Sequence, residues 1–220
     1  MWPSRGSALS LDDAPVVRLS ERLTMRPARR FTRRLMARIE TLIDETTLRN
    51  RVPQLGVKIT EDHAELDAEL MVVPVLTGSF VFAADLVRHI DLPVSVDFLG
   101  LRSYVGTKSS GIVEITKDLG RSLTGRHVLI VEDIVDTGLT MRYLLENLRT
   151  RQPASVKLVS LLHKPARTQV AVDIDYLGFT IEDVFVVGYG LDFDQRFRNL
   201  PFLGLVHPDE STTPGTTPAP

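Results

Sequence analysis

Apolar residues in this chain gather in short unbroken runs more often than they alternate. Met71 to Leu76, Val128 to Val131 and Ser155 to His163 are such runs, the last with Val-Lys-Leu-Val-Ser-Leu-Leu at its heart. Short runs rich in β-branched residues read as strands buried on both faces, as in a parallel sheet covered by helices. Ile174 to Phe179 reads as a further strand and Ile39 to Ile43 as an edge strand. Val94 to Leu101 alternates around Asp97 and reads as a strand, with Ile112 to Lys117 returning after a polar loop. Between the runs the period becomes helical. Leu48, Val52, Leu55 and Ile59 share one helical face that starts at an Asp44 N-cap. Pro53 and Gly56 interrupt that segment and predict a kink or a break. Phe80, Phe82, Ala83, Leu86, Val87 and Ile90 mark a second helix, and Met141 to about Arg149 a third. Strands alternating with helices place the chain in the α/β class, with a mostly parallel twisted sheet flanked by helices.

A length of 220 residues suits one domain with a sizeable core. The net charge of −2 gives no global field toward nucleic acid or membrane, and neither is expected as a partner. The absence of cysteine excludes disulfides, zinc–thiolate sites and thiol catalysis, and is compatible with a cytoplasmic protein. No apolar run approaches the roughly 18 residues of a membrane span, and the N-terminus lacks the apolar core of a signal peptide. The two ends differ from the middle. Residues 1–38 carry Arg26, Arg29, Arg30, Arg33 and Arg34 with Pro3, Pro15 and Pro27, and read as a disordered or loosely helical extension. A basic arm for RNA or acidic lipid is the alternative. A transit peptide is a third reading, which Asp12, Asp13 and Glu21 dilute. Pro208 to Pro220 offers little to bury and reads as a disordered tail. The folded domain is therefore expected over 39–207, and Met36 is a candidate start.

Candidate chemistry concentrates between Val128 and Thr140. Two carboxylates, Glu132 and Asp133, end the strand; a loop Asp136-Thr137-Gly138 follows, and Thr140 leads into the helix. Backbone N–H groups at a helix start, a glycine and Thr hydroxyls together suit a phosphate. The acids suit hydroxyls or a hard cation such as Mg²⁺. Thr77-Gly78-Ser79 repeats the arrangement of strand, small-residue loop and helix start, a second anion site on the same rim. For both loops an ordinary turn between strand and helix is the competing reading. Lys164 ends a core strand on the rim where open α/β sheets bind ligands, although alone it would read as a solvated surface lysine. His163 beside it reads as structural. Phe185 precedes a backbone segment able to read a base edge, and its ring is a stacking face worth ~1–3 kcal/mol; alone it would more often be core. Arg102 to Gly111 is a polar, glycine-containing loop of a length usually functional or disordered.

Together these segments resemble the phosphoribosyl-diphosphate-binding motif of the type I phosphoribosyltransferases, and over roughly Ile39 to Val206 the chain is similar to their hypoxanthine (6-oxopurine) branch. The resemblance implies purine salvage: ribosyl 5-phosphate passes from phosphoribosyl diphosphate to N9 of hypoxanthine or guanine, giving IMP or GMP and pyrophosphate. It implies that Asp136, Thr137, Gly138, Leu139 and Thr140 cradle the 5-phosphate, and that Glu132 and Asp133 face the ribose hydroxyls and a Mg²⁺. Asp192 would support a Mg²⁺ on the pyrophosphate, which Thr77, Gly78, Ser79 and Arg198 take. Ser103 and Tyr104 would belong to a lid. Lys164, Phe185 and the backbone near Val186 and Asp192 would bind the purine, with Lys164 reading its exocyclic oxygen. Asp136 would be the general base. The resemblance further implies a small hood built from both ends of the core chain, a cis peptide in the Thr77 loop, and a homodimer or homotetramer. Thr77 stands where many members carry Lys, so this loop has no positive charge. A xanthine- or guanine-preferring relative, and a nucleotide-sensing, RNA-binding regulator on the same fold, are the other functions compatible with the sequence.

Overall fold

The computed structural model describes residues 15–17, 39–66, 68–103 and 113–206. Its elements are β1 (Val16–Val17), β2 (Ile39–Ile43), α1 (Glu45–Asp62), β3 (Leu70–Leu76), α2 (Phe80–Leu86), β4 (Val94–Val96), β5 (Leu99–Ser103), β6 (Val113–Lys117), β7 (His127–Val135), α3 (Leu139–Arg149), β8 (Ser155–His163), β9 (Tyr176–Ile181), β10 (Val186–Val187) and β11 (Leu203–Val206). Short 3₁₀ turns lie at Val87–His89 and Pro165–Arg167.

The unbroken apolar runs become the middle of the main sheet, ordered β1-β9-β8-β7-β3-β5-β6. Every pairing along it is parallel except β5 with β6. Both faces are covered, as the composition of the runs requires. Val72 of β3 joins one apolar cluster with α1 and α2, while Met71 and Val73 join another with α3. Buried apolar surface of this kind contributes roughly 25 cal/mol per Å², so these clusters dominate the stability of the fold. A second, three-stranded antiparallel sheet, β10-β11-β2, joins the two ends of the domain into the hood, with β2 on its edge.

Several expectations change. The strand read over Val94 to Leu101 is split into β4 and β5. Pro74 of β3 has no N–H to give a neighbour, and it falls where pairing passes from Val72↔Val96 to Val75↔Leu99. Asp97 fills the break: its carboxylate accepts from Phe98 N–H at 2.8 Å and from Gly120 N–H at 2.7 Å. The predicted break at Pro53 and Gly56 is absent, and α1 runs through both. Its buried face and the Arg51 guanidinium, which donates to Gly178 O and Leu177 O, hold the helix against β9. Gly56 is needed for packing: a Cβ there would stand 2.5 Å from His89 Cβ. The acids do not end their strand, because β7 keeps pairing with β8 as far as Val135↔His163. The helix expected from Phe80 to Ile90 stops at Leu86 and tightens into the 3₁₀ turn. Within the N-terminal extension, Val16–Val17 pair in parallel with the outer edge of β9, and Thr180 N–H donates to Pro15 O at 3.2 Å. The rest of the extension and the tail expected over 208–220 lie outside the described residues.

Candidate active site

Parallel strands β3, β7 and β8 release their carboxyl ends on one rim, where open sheets of this type bind ligands. Residues 183–198, which lead through the hood, face that rim and close a cleft of about 590 Å³. Tyr189 Oη donates to Asp85 Oδ2 at 2.6 Å and ties the hood to α2.

A side recess of about 220 Å³ opens between β7 and α3, lined by Asp136, Thr137, Gly138 and Thr140. Gly138 caps α3 at φ 80°, a left-handed conformation, and a Cβ there would meet Val170 O at 2.1 Å, so no other residue fits. The loop is pinned from outside, since Gln169 and Val170 N–H both donate to Thr137 O, at 3.0 and 3.1 Å. The start of α3 and the residues Thr137 and Thr140 thus line a space with room for a phosphate. Leu139 does not line it, and its exposed side chain leaves only its backbone to contribute.

Glu132 and Asp133 line the cleft beside this recess. Glu132 is only 9% exposed and its Oε2 has no hydrogen-bond partner. Burial, reinforced by the charge of Asp133, pushes its carboxyl well above the usual range. Asp133 is pushed up to about 6, first by burial, although Ile134 N–H donates to it at 2.9 Å. Neither has an ion-pair partner among the described residues. Gly78 presses on this pair, for a Cβ at that position would fall 1.5 Å from Asp133 Oδ2. Gly190, at φ 106°, packs as closely on Gly78, with its missing Cβ 2.0 Å from Gly78 O.

The Leu76–Thr77 peptide is cis, and Thr77 and Gly78 line the cleft. Ser79 is fully buried and donates Oγ to Val75 O at 2.7 Å, so its hydroxyl is spent on the turn and only its backbone remains for an anion. Arg198 lines the cleft with Nη2 2.8 Å from Asp192 Oδ1 and Nη1 donating to Gly190 O at 2.8 Å; Asp192 Oδ2 accepts from Gln195 N–H at 2.8 Å. No group of three or more His, Cys, Asp or Glu suited to a metal exists among the described residues. The donors therefore fit no all-protein cage. An orphan carboxylate oxygen beside a second carboxylate does fit Mg²⁺ held by one or two acids and by substrate oxygens.

At the far end Lys164 is 8% exposed, with its amide held by Val135 O. Phe185 presents a ring 52% exposed, and Phe193 meets it edge-on at 5.6 Å and 84°. Val186 is buried in β10 and also lines the cleft. Ser103 ends β5, and Tyr104 lies outside the described residues. The structure adds three neighbours that the sequence reading missed: Arg167, Asp183 and Phe193. Arg167 Nε donates to Asp136 Oδ1 at 3.2 Å, and Nη1 lies 3.8 Å from Asp183 Oδ2. Its signal was its place three residues after Lys164 on a 3₁₀ turn, where positions i and i+3 eclipse.

The sequence profile of the phosphoribosyl transferase domain matches residues 52–194. The chain belongs to the phosphoribosyltransferase family. Among similar proteins is a hypoxanthine phosphoribosyltransferase of Haemophilus influenzae, 46% identical over 170 residues, covering 76% of this chain and 95% of that one. A hypoxanthine-guanine phosphoribosyltransferase of Bacillus subtilis is 44% identical over 170 residues, covering 77% and 93%. Among solved structures, a hypoxanthine phosphoribosyltransferase from Staphylococcus aureus superposes with a TM-score of 0.77 at 37% identity, covering 83% of this phosphoribosyltransferase and 100% of that chain.

Proposed function

We propose that this phosphoribosyltransferase moves ribosyl 5-phosphate from phosphoribosyl diphosphate to N9 of hypoxanthine or guanine, giving IMP or GMP and pyrophosphate in purine salvage. The observation that carries the reading is the nearly buried Lys164 lining the same cleft as the exposed Phe185 ring. A lysine is a donor with no acceptor, suited to a 6-oxo group and unsuited to the amino group of adenine. Relatives named for hypoxanthine at 44–46% identity support the same choice.

Each part of the cleft then has a task. Backbone N–H groups of Asp136 to Thr140, with the Thr137 and Thr140 hydroxyls, hold the 5-phosphate. Glu132 and Asp133 accept from the ribose hydroxyls and would hold a Mg²⁺; Asp192, whose oxygens are taken by Arg198 and Gln195 N–H, would support a second on the pyrophosphate side. Such a cation would supply positive charge near the leaving pyrophosphate. Displacement at the anomeric carbon develops positive charge on the sugar, as in glycoside chemistry, and the acids beside it face that charge. Thr77, Gly78, the Ser79 backbone and Arg198 hold the pyrophosphate, with Ser103 and Tyr104 closing over it to exclude water. Phe185 stacks on the purine, the backbone near Val186 and Asp192 reads its edge, and Asp136 takes the ring-nitrogen proton. No helix among the described residues is long and apolar enough to cross a membrane, and we read the enzyme as cytoplasmic and as a homodimer or homotetramer. A product assay with phosphoribosyl diphosphate, Mg²⁺ and each of hypoxanthine, guanine, xanthine, adenine and uracil tests the reading. Turnover of adenine or uracil with none of hypoxanthine or guanine would end it.

A further inference from the structure

Arg167 stands at the base end of the cleft and uses two different nitrogens on two carboxylates. Nε donates to Asp136 Oδ1 at 3.2 Å; Nη1 lies 3.8 Å from Asp183 Oδ2. Asp136 belongs to the loop after β7, and Asp183 to the segment entering β10. The guanidinium therefore spans from the main sheet to the approach of the hood. Asp183 also reaches the other cation of this end, with Oδ1 3.9 Å from Lys164 Nζ. Packing does not explain Arg167. Its side chain is 48% exposed, that of Asp136 38%, and exposed ion pairs contribute little to stability.

We propose that Arg167 is the positioning residue for Asp136: anchored on Asp183, its guanidinium fixes the direction of the Asp136 carboxylate through Oδ1 and leaves Oδ2 to receive the purine proton. The inference rests on reading Asp136 as the general base. An aspartate on an exposed loop has several side-chain directions, and a base must lie within hydrogen-bond reach of its proton before its basicity matters. A guanidinium that donates to Asp136 and is drawn the other way by the charge of Asp183 at 3.8 Å restricts that freedom, which the single ammonium of a lysine does less well. Asp183 completes the device electrostatically. When the proton passes from the purine nitrogen to Asp136, that carboxyl becomes neutral and Arg167 loses one partner. Asp183 keeps the guanidinium paired, so the transfer leaves no stranded cation in the cleft.

The test is steady-state kinetics on four proteins: the parent, Arg167→Gln, Asp136→Asn and the double variant, with Arg167→Lys as a fifth. Arg167→Gln should lower kcat roughly tenfold, with KM for phosphoribosyl diphosphate within about twofold of the parent. Arg167→Lys should recover only part of the loss. In the Asp136→Asn background Arg167→Gln should cost nothing further, because there is no base left to aim. Unchanged kcat in Arg167→Gln overturns the proposal, and so does an equal loss in both backgrounds, which would place Arg167 on the substrate or the fold. Near-normal kcat in Asp136→Asn alone is a different failure, since it removes the general-base reading itself.

Discussion

At the proposed sugar end of the cleft Glu132 and Asp133 lie side by side with no ion-pair partner among the described residues, and the charge of Arg198 only partly offsets the burial of Asp133; at the proposed base end Asp136 and Asp183 share Arg167, with Lys164 close by. The first arrangement is unfavourable at rest. Burial favours the protonated form of both carboxylates, and on the proposed reading a cation and the ribose hydroxyls would relieve them. The second is balanced at rest and costs the fold little. The difference separates two kinds of readiness. On the proposed reading, the sugar end would hold electrostatic tension until metal and ribose arrive, whereas the base end would hold direction.

The largest effect should come from breaking the base end. On the proposal that Asp136 is the general base, Asp136→Asn keeps the shape of the carboxylate and removes the proton acceptor, so kcat should fall by ~10²–10⁴. KM for phosphoribosyl diphosphate should barely move, because the backbone donors of the recess remain. Near-parent kcat across pH would show that the proton leaves by another route. Next, Lys164→Met should weaken hypoxanthine by about 10- to 100-fold in kcat/KM, the worth of a charged hydrogen bond, and narrow the gap to adenine. An unchanged ratio of the two bases would remove Lys164 from base choice.

The sugar end predicts a gain of stability on mutation. The Asp133 carboxyl titrates at about 6 against an ordinary 3.8, so folding favours its protonated form. Its contribution is complete below pH ~3.8 and is lost as pH rises through about 6. Asp133→Asn, neutral throughout, should therefore be more stable than the parent above pH 6, by on the order of 2–3 kcal/mol, with the advantage closing toward pH 4. Urea unfolding of both proteins across that window measures it. Parallel curves would mean that the acid is not under tension. Mg²⁺ with phosphoribosyl diphosphate should also raise the parent Tm more than that of the variant. The smallest effect concerns the exposed Phe185 ring, proposed to stack on the purine. Phe193→Leu removes the edge-on support of Phe185, an interaction of ~0.5–1.5 kcal/mol, and should raise KM for the purine two- to tenfold without touching kcat. A fall in kcat would assign Phe193 a task beyond supporting that ring.

What the sequence made legible was what local pattern controls. The runs at Met71, Val128 and Ser155, short and rich in β-branched residues, read as strands covered on both faces, and the Glu132 to Thr140 stretch carried its own spacing of acid, glycine and hydroxyl. The misreadings came from effects that act across the chain. Pro74 withholds an N–H from a strand more than twenty residues later, and the split of β4 from β5 appears only once the strands are paired. Pro53 looked like a helix breaker because the Arg51 bonds to β9 that hold α1 are invisible in its own segment. Arg167 meets Asp136 across 31 positions, and Asp183 enters the cleft only when the hood is built. Strands as short as β10 have no period to detect.

The contact of Gly190 with Gly78, and of Gly78 with Asp133, has a consequence for chemical intervention. A Cβ at either glycine collides with a backbone oxygen or a carboxylate at 2.0 Å or less. Every single-base change in a glycine codon that swaps the residue installs at least that Cβ. A compound that rested on this seam between loop and hood would press on two positions where any single-base substitution brings a clash, so resistance by changing either glycine would carry a cost to the site.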